Sequence, residues 1–423
     1  MAQLMTNEQQ KQMIFECGRA FSPSAPIDNM ALFAGRISQI RLASEAVSAR
    51  GGHAIIFGER GVGKTSLANI IKSLLAMQKI LTVKVNCAHG DTFETIWQKV
   101  FSEITVTEER SAVGFAQQMN QVATSLADIV QSPLDPGTVK RVLNQLSQNQ
   151  ECVIILDEFD RLKAKQYSFA DTVKDLSDNS TKATIVFVGV ANDVDELIKE
   201  HASIDRCLAQ IKMPRMASHE LREILNKAST TLGMTFNPDV ETLIVLLSNG
   251  LPHYTHLLGN ESAIVAIEDR SFDVDMKHLH KGIERALVKQ QQAIRESYRK
   301  ATDSPRKDTL FKQVLLACAL AEVDAAGFFR SADVREPLYE ITGKNYEIPG
   351  FSQHLDKFSG SDSTRGPVLE KSGTARRFRF RFINPLLQPY VIMKGIAERL
   401  ISQDLLVALM TKARPEPAPN MLF

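Results

Sequence analysis

Gly58, Glu59, Arg60, Gly61, Val62, Gly63, Lys64 and Thr65 follow one another as a glycine-rich turn that ends in an ammonium and a hydroxyl. Glycine reaches backbone conformations closed to other residues, so this turn can wrap closely around an anion. Its N–H groups, and the start of the helix expected from Ser66 onward, would then face negative charge. The spacing fits GxxxxGK[ST] without exception, the pattern of a loop that cradles nucleotide phosphates. In that pattern Lys64 reaches the β- and γ-phosphates and Thr65 ligates Mg²⁺, with Ser66 beside them. Far downstream, Asp157 and Glu158 close the apolar run CVIIL. Asp157 suits the coordination shell of Mg²⁺, and Glu158 suits a base that orients and deprotonates an attacking water. Together these are the parts for binding ATP and cleaving its terminal phosphate.

Such residues need rigid elements behind them. From 53 to about 215, short apolar runs alternate with amphipathic stretches: HAIIF (53–57), ILTVKVNC (80–87), CVIILDE (152–158), ATIVFVGV (183–190) and QIKMP (210–214). Runs this continuous and β-branched suit parallel strands buried on both faces, and the alternation predicts a three-layer α/β domain. After Pro214 the pattern turns helical, with Ser218 as its expected N-cap. The stretch 276–300 reads as one long helix, and Asp303-Ser304-Pro305 marks a boundary. A further unit from 306 to about 400 orders three helical stretches before a hairpin of GPVLEKSG and TARRFRFRF. The expected division is an N-terminal helix and linker (1–26), a nucleotide-binding domain (27–215), a helical lid (216–303), a third unit (304–402), and a helix end with a proline-rich disordered tail (403–423).

Composition bounds the function classes. A chain of 423 residues exceeds one hydrophobic core, so two or three domains are expected. Its formal net charge of +1 makes no global electrostatic case for nucleic acid or membrane, and any such surface must be local. The five cysteines are far apart, lack CxxC spacing and sit mostly in apolar runs, so they read as buried residues in a reducing compartment. The first residues are polar, unlike a signal peptide. No run approaches the roughly 18 apolar residues of a membrane span. The expected location is cytoplasmic, without a membrane partner.

The order LFAGR, GERGVGKTS, VNC, LDEFDRL, VGVAN, SIDR and KMPRM…ELREIL resembles the AAA+ ATPases over residues 27–260. Within them it is similar to origin-recognition initiators and TnsC-like transposition regulators. The resemblance implies a five-stranded parallel sheet, a helical lid, and ATP held between subunits of a homo-oligomer. It casts Asp157 and Glu158 as the Walker B pair and Asn192 as the polar residue that contacts the γ-phosphate or the water. It casts Asn86 as the residue restraining the catalytic glutamate, and Arg206 as a finger reaching a neighbouring subunit's site. It lays residues 27–36 against adenine through Ile27, Phe33 and Arg36. The chain departs from the pattern at the start of the lid helix, where His253 stands in place of an arginine. A neutral imidazole supplies no fixed charge at pH 7, which implies slow turnover or gating by a partner.

The third unit resembles a winged helix. In its hairpin, Arg377, Arg379 and Arg381 alternate with three phenylalanines, so strand period puts the cations on one face and the rings in the core. With Arg376 they form a cationic wing suited to duplex phosphates. The solvated alternative, arginines paired with acidic neighbours, stands beside it. Residues 303–423 hold 17 basic and 14 acidic side chains, and the expected recognition helix, 351–358, has Gln353 as its only amide. Any DNA contact is therefore expected to be backbone-directed. Two function classes follow: an ATP-dependent AAA+ switch that assembles on DNA, or a STAND-type signalling NTPase of bacterial anti-phage defence whose winged helix docks a protein partner.

Overall fold

The computed structural model describes residues 5–23, 25–111, 119–130, 132–162, 167–179, 181–191, 204, 206–304, 309–324, 326–360, 365–374 and 377–413. The chain forms two compact units, one of Pro26–Pro214 and one of Met1–Ala25 with Arg215–Phe423. Helix α1 (Asn7–Ala20) opens the second of these, capped by the Thr6 hydroxyl at the Gln9 N–H.

The unit Pro26–Pro214 runs α2 (Ile37–Ser48), β1 (His53–Gly58), α3 (Lys64–Met77), β2 (Leu81–Asn86), α4 (Phe93–Ser102), β3 (Thr105–Ser111), β4 (Met119–Ser125), α5 (Leu126–Ile129), α6 (Pro136–Asn149), β5 (Cys152–Asp157), α7 (Tyr167–Asp178), β6 (Ala183–Val190) and β7 (Leu208–Lys212). Five strands form one parallel sheet in the order β2-β5-β6-β1-β7. Every residue of β1 and β5 is buried, as continuous apolar runs between two helical layers require. The edge strands β2 and β7 instead mix buried and accessible positions. Under the sheet, Trp97, Phe101, Phe159, Phe169 and Phe187 join the core, with Phe159 and Phe187 ring centroids 4.7 Å apart. The five expected strands are all present. The antiparallel pair β3–β4 is not legible in its polar sequence.

The second unit continues with α8 (Ser218–Leu232), β8 (Thr235–Phe236), α9 (Pro238–Ser248), α10 (Pro252–Glu268), β9 (Asp273–Val274), α11 (Met276–Lys289) and α12 (Gln292–Thr302). It closes with α13 (Phe311–Leu320), β10 (Phe329–Arg330), α14 (Arg335–Thr342), α15 (Ile348–Ser359), β11 (Leu369–Ser372), β12 (Arg379–Phe382), α16 (Leu387–Ala397) and α17 (Gln403–Ala413). Strands β10, β12 and β11 make a small antiparallel sheet behind α13–α15.

Two expectations need correction. The stretch 276–300 is two helices, not one. Gln290 and Gln291 are extended (ψ 151° and 136°), and the Gln290 side chain accepts the Gln291 N–H, so the chain turns while both halves keep an apolar face. The cap of α8 is Ala217, not Ser218: the Glu220 carboxylate accepts the Ala217 N–H at 2.9 Å. The stretches 216–303 and 304–402 both fall within the unit of Met1–Ala25 and Arg215–Phe423. The Tyr254 hydroxyl on α10 donates to the Leu386 carbonyl, and Arg215 reaches both Asn249 O and Gln388 Oε1. No helix among the described residues is long and apolar enough to cross a membrane.

Candidate active site

The phosphate loop leaves the carboxyl end of β1, an inner strand between β6 and β7, and open α/β sheets place their ligands at the carboxyl ends of their strands. Gly58, Gly61 and Gly63 have φ of 154°, 89° and 94°, conformations that L side chains rarely adopt. At Gly58 a Cβ would also lie 2.4 Å from the Met213 carbonyl oxygen. Gly63 caps α3 without a side-chain hydrogen bond, leaving the first N–H groups of the helix for an anion. The Lys64 ammonium is buried and donates to the carbonyls of Gly58 (2.9 Å) and Glu59 (2.7 Å). Burial pulls its pKa down to about 8, against the opposing pull of Asp160, Asp157 and Glu59. A buried cation bonded to neutral oxygens inside an anion-shaped turn fits a polyphosphate.

Asp157 ends β5 and is buried. Its Oδ1 accepts the Glu158 N–H at 2.9 Å and faces the Thr65 hydroxyl at 3.4 Å. This hydroxyl–carboxylate set is hard and oxygen-only, which fits Mg²⁺. The Oδ2 atom stands 3.0 Å from Nζ of Lys84 on β2. Glu158 occupies the left-handed region (φ 57°, ψ 35°), unusual for a residue with a Cβ, and turns the chain so that its carboxylate is half-exposed. Arg161, one turn on, pairs with it at 2.8 Å. His89 in turn bonds the Arg161 carbonyl, and Asp160 accepts the Val190 N–H at the end of β6.

The structure thus brings Lys64, Thr65, Asp157 and Glu158 to one end of the sheet. Glu59 and Arg60 lie in the loop, Arg60 exposed, Val62 is buried, and Ser66 Oγ accepts the Ile27 N–H at 3.1 Å. Arg36, expected with Ile27 and Phe33 against adenine, has a guanidinium tied to backbone carbonyls. It is buried, with φ 62°, and donates to the carbonyls of Val62 (3.0 Å) and Pro214 (2.7 Å), bracing the loop from behind. Ile27 and Phe33 are likewise buried. Asn86 is exposed at the end of β2, and no hydrogen bond joins it to Glu158 among the described residues; Arg161 pairs with that carboxylate. Arg206 is exposed in the turn before β7. Asn192 and Arg376 lie outside the described residues.

His253 belongs to the other unit. Its Nδ1 bonds the Pro23 carbonyl at 2.9 Å, and burial lowers its pKa, so the imidazole is neutral near pH 7. In the hairpin, Phe380 and Phe382 are buried as expected. The arginine face is less free than expected: Arg379 pairs with Asp324 (3.3 Å), Arg381 pairs with Glu370 (2.6 Å), and both stack over Phe328 at 4.5 Å. Arg377 is exposed. Sequence reasoning missed Lys84, Arg161 and Asp160 as members of the constellation. Lys84 had a signal, a charge inside the apolar run LTVKVN; Arg161 and Asp160 sat in LDEFDRL among residues already read.

A five-stranded parallel sheet of this order, with the phosphate loop after β1 and the carboxylate pair after β5, is the AAA+ P-loop fold. Residues 48–198 match the family model for an AAA domain. None of the curated proteins matches the chain. Among solved structures, the chain is similar to the Walker-type ATPase PABY2304 of Pyrococcus abyssi, with 14% identity, 87% of this chain and 98% of that chain covered, and a TM-score of 0.49. It is similar to the ORC2 protein of Aeropyrum pernix in its ADPNP–ADP complexes, with 13% identity, 93% and 98% covered, and a TM-score of 0.47. It is also similar to the RuvB Holliday junction branch migration motor of Thermotoga maritima, with 15% identity, 64% and 77% covered, and a TM-score of 0.42.

Proposed function

We propose that the chain binds Mg-ATP, hydrolyses it, and uses the nucleotide state to switch its assembly with further copies on duplex DNA. The observation that carries the nucleotide half is the convergence of a buried Lys64, the Thr65 hydroxyl, Asp157 and Glu158 at the carboxyl end of one parallel sheet. Lys64 and the loop N–H groups bind the phosphates. Thr65 and Asp157 would hold Mg²⁺, which supplies charge neutralisation at the phosphates when bound. Glu158 orients the attacking water and takes its proton. The further parts assigned by this reading are Asn192, two residues beyond β6 in sequence, for the γ-phosphate or the water, and Arg206 as a finger offered to a neighbouring copy.

Nucleotide affinity and turnover, measured separately, test this half. Lys64→Ala should abolish binding, while Glu158→Gln should keep binding and lower turnover by about 10²-fold or more. Equal turnover in Glu158→Gln and wild type would remove Glu158 as the base.

The DNA half rests on the arginine face of β12 and on reading α13–α15 with the β11–β12 hairpin as a winged helix. One observation favours a second reading of that unit. Four of its cations are matched locally: Arg379 with Asp324, Arg381 with Glu370, Lys371 with Asp356 and Arg335 with Glu347, while Arg377 stays exposed. A face neutralised in this way also suits docking onto a protein, as in a signalling NTPase. A gel shift on random duplex with and without ATP separates the two: an ATP-dependent shift at low salt supports DNA assembly, and none moves the docking reading to first place.

A further inference from the structure

The second oxygen of the metal-site carboxylate has a cation of its own. Lys84 Nζ stands 3.0 Å from Asp157 Oδ2, off the axis of a hydrogen bond, while its aligned bond goes to Asn69 Oδ1 at 2.8 Å. Strand period places it there. Val83 and Val85 enter the core beneath the sheet, so Lys84 takes the opposite face, toward α3, which carries Asn69. The register pairs Asn86 with Asp157 and Lys84 with Ile155, so the lysine stem starts two residues back and runs along the strand to the carboxylate. Lys84 and Asp157 side chains are only 12% and 3% exposed, which leaves little water to screen the pair.

A buried carboxylate without a counter-charge is strongly unfavourable, and Lys84 supplies that charge. A divalent cation at Thr65 and Asp157 would meet the same carboxylate already shared with an ammonium. We propose that Lys84 is a positioning residue that neutralises Asp157 in the absence of Mg²⁺ and opposes Mg²⁺ when it arrives, and so sets the Mg²⁺ requirement for nucleotide binding. This rests on the reading of Asp157 as part of the Mg²⁺ shell. Asn69 is the second anchor that draws the ammonium partly away from the carboxylate.

The test uses the full chain and fluorescently labelled ADP, with Mg²⁺ titrated from EDTA upward. Lys84→Met should leave the affinity in EDTA within about twofold of wild type. It should lower the Mg²⁺ concentration of half-effect by at least about tenfold, well within the cost of placing like charges a few ångströms apart in a partly buried site. Its melting temperature in EDTA should fall, and adding Asp157→Asn should restore it, because neither charge then remains buried alone. Asn69→Ala guards against a Lys84 variant that does not fold. It leaves the ammonium to Asp157 alone and should raise the Mg²⁺ requirement, the opposite sign. An unchanged Mg²⁺ requirement in both variants would overturn the proposal while leaving the Mg-nucleotide reading intact. A wild-type chain that binds labelled ADP at no Mg²⁺ concentration would overturn both.

Discussion

At the scale of single residues, Glu158 combines a strained backbone with a restrained carboxylate. Its left-handed backbone costs roughly 1 kcal/mol for a residue with a Cβ, and its carboxylate is tied to Arg161. The pair is partly solvated on both sides, and such pairs contribute about 1 kcal/mol or less. Arg161→Ala should therefore change turnover by no more than about fivefold, far less than Glu158→Gln. A loss in Arg161→Ala as deep as that of Glu158→Gln, in steady-state phosphate release, would make Arg161 part of the reaction instead of a restraint on the base. The lysine, hydroxyl and carboxylates were readable from spacing, because a phosphate loop is contiguous in sequence. The partners of Lys84 and Arg36 are not legible in sequence, because strand register and the folding back of a distant segment create those contacts.

At the scale of elements, the hairpin β11–β12 carries the choice between duplex and protein. Phe380 and Phe382 hold its inner face, so replacing Arg377, Arg379 and Arg381 together by alanine should leave the fold intact. If the arginines contact phosphates, duplex affinity should weaken about equally for all sequences, and the slope of log affinity against log salt should flatten by up to ~3. Arg379 must first leave Asp324, a modest cost for an exposed pair, and Arg381 must leave Glu370, a larger one because its side chain is mostly buried and bonded twice. Filter binding across a salt series measures the slope; an unchanged slope would place DNA contact elsewhere or nowhere. Alternating Arg and Phe made this strand legible in sequence. The polar pair β3–β4 had no such alternation, and the turn at Gln290 and Gln291 carries neither glycine nor proline to announce it.

At the scale of the whole molecule, the first residues belong with the last. Phe21 is fully buried, its ring 6.1 Å from that of Phe236 and edge-on to His256, and a Cβ on Gly259 would lie 2.5 Å from the Phe21 ring. Gln10 adds a bond to the Ile267 carbonyl at 2.8 Å. Deleting residues 1–25 should therefore destabilise the helical unit. Phe21→Ala alone should cost about 3–5 kcal/mol, read as a lower melting temperature. An unchanged melting temperature in both would return the segment to a loose linker.

Acid should weaken both units. Burial holds His53 and His256 at about 4, below the ordinary 6.5, with His253 adding to the effect at His256. His53 Nδ1 accepts the Ile185 N–H, a bond that protonation would break. Between pH 6.5 and 4 the unfolded chain binds protons that the folded chain refuses. Stability is thus full above 6.5 and falls with pH by up to about 1.4 kcal/mol per unit for each histidine. Melting at pH 7.5, 6 and 5 should show the decline, and a chain carrying His53→Asn should show a shallower one.

The sequence by itself determined the phosphate loop, the carboxylate pair, and the five strands, the inner ones buried on both faces, that set them at one end of a sheet. These depend on contiguous motifs and on apolar runs long enough to need burial on both faces. Only the tertiary structure decided that Arg36 braces the loop, that Lys84 shares Asp157, that Arg161 pairs with Glu158, and that Arg379 and Arg381 have carboxylate partners. Each of those is a contact set by register, turn or long-range return of the chain, where residue type names what a side chain can bind and the fold chooses which partner lies within reach.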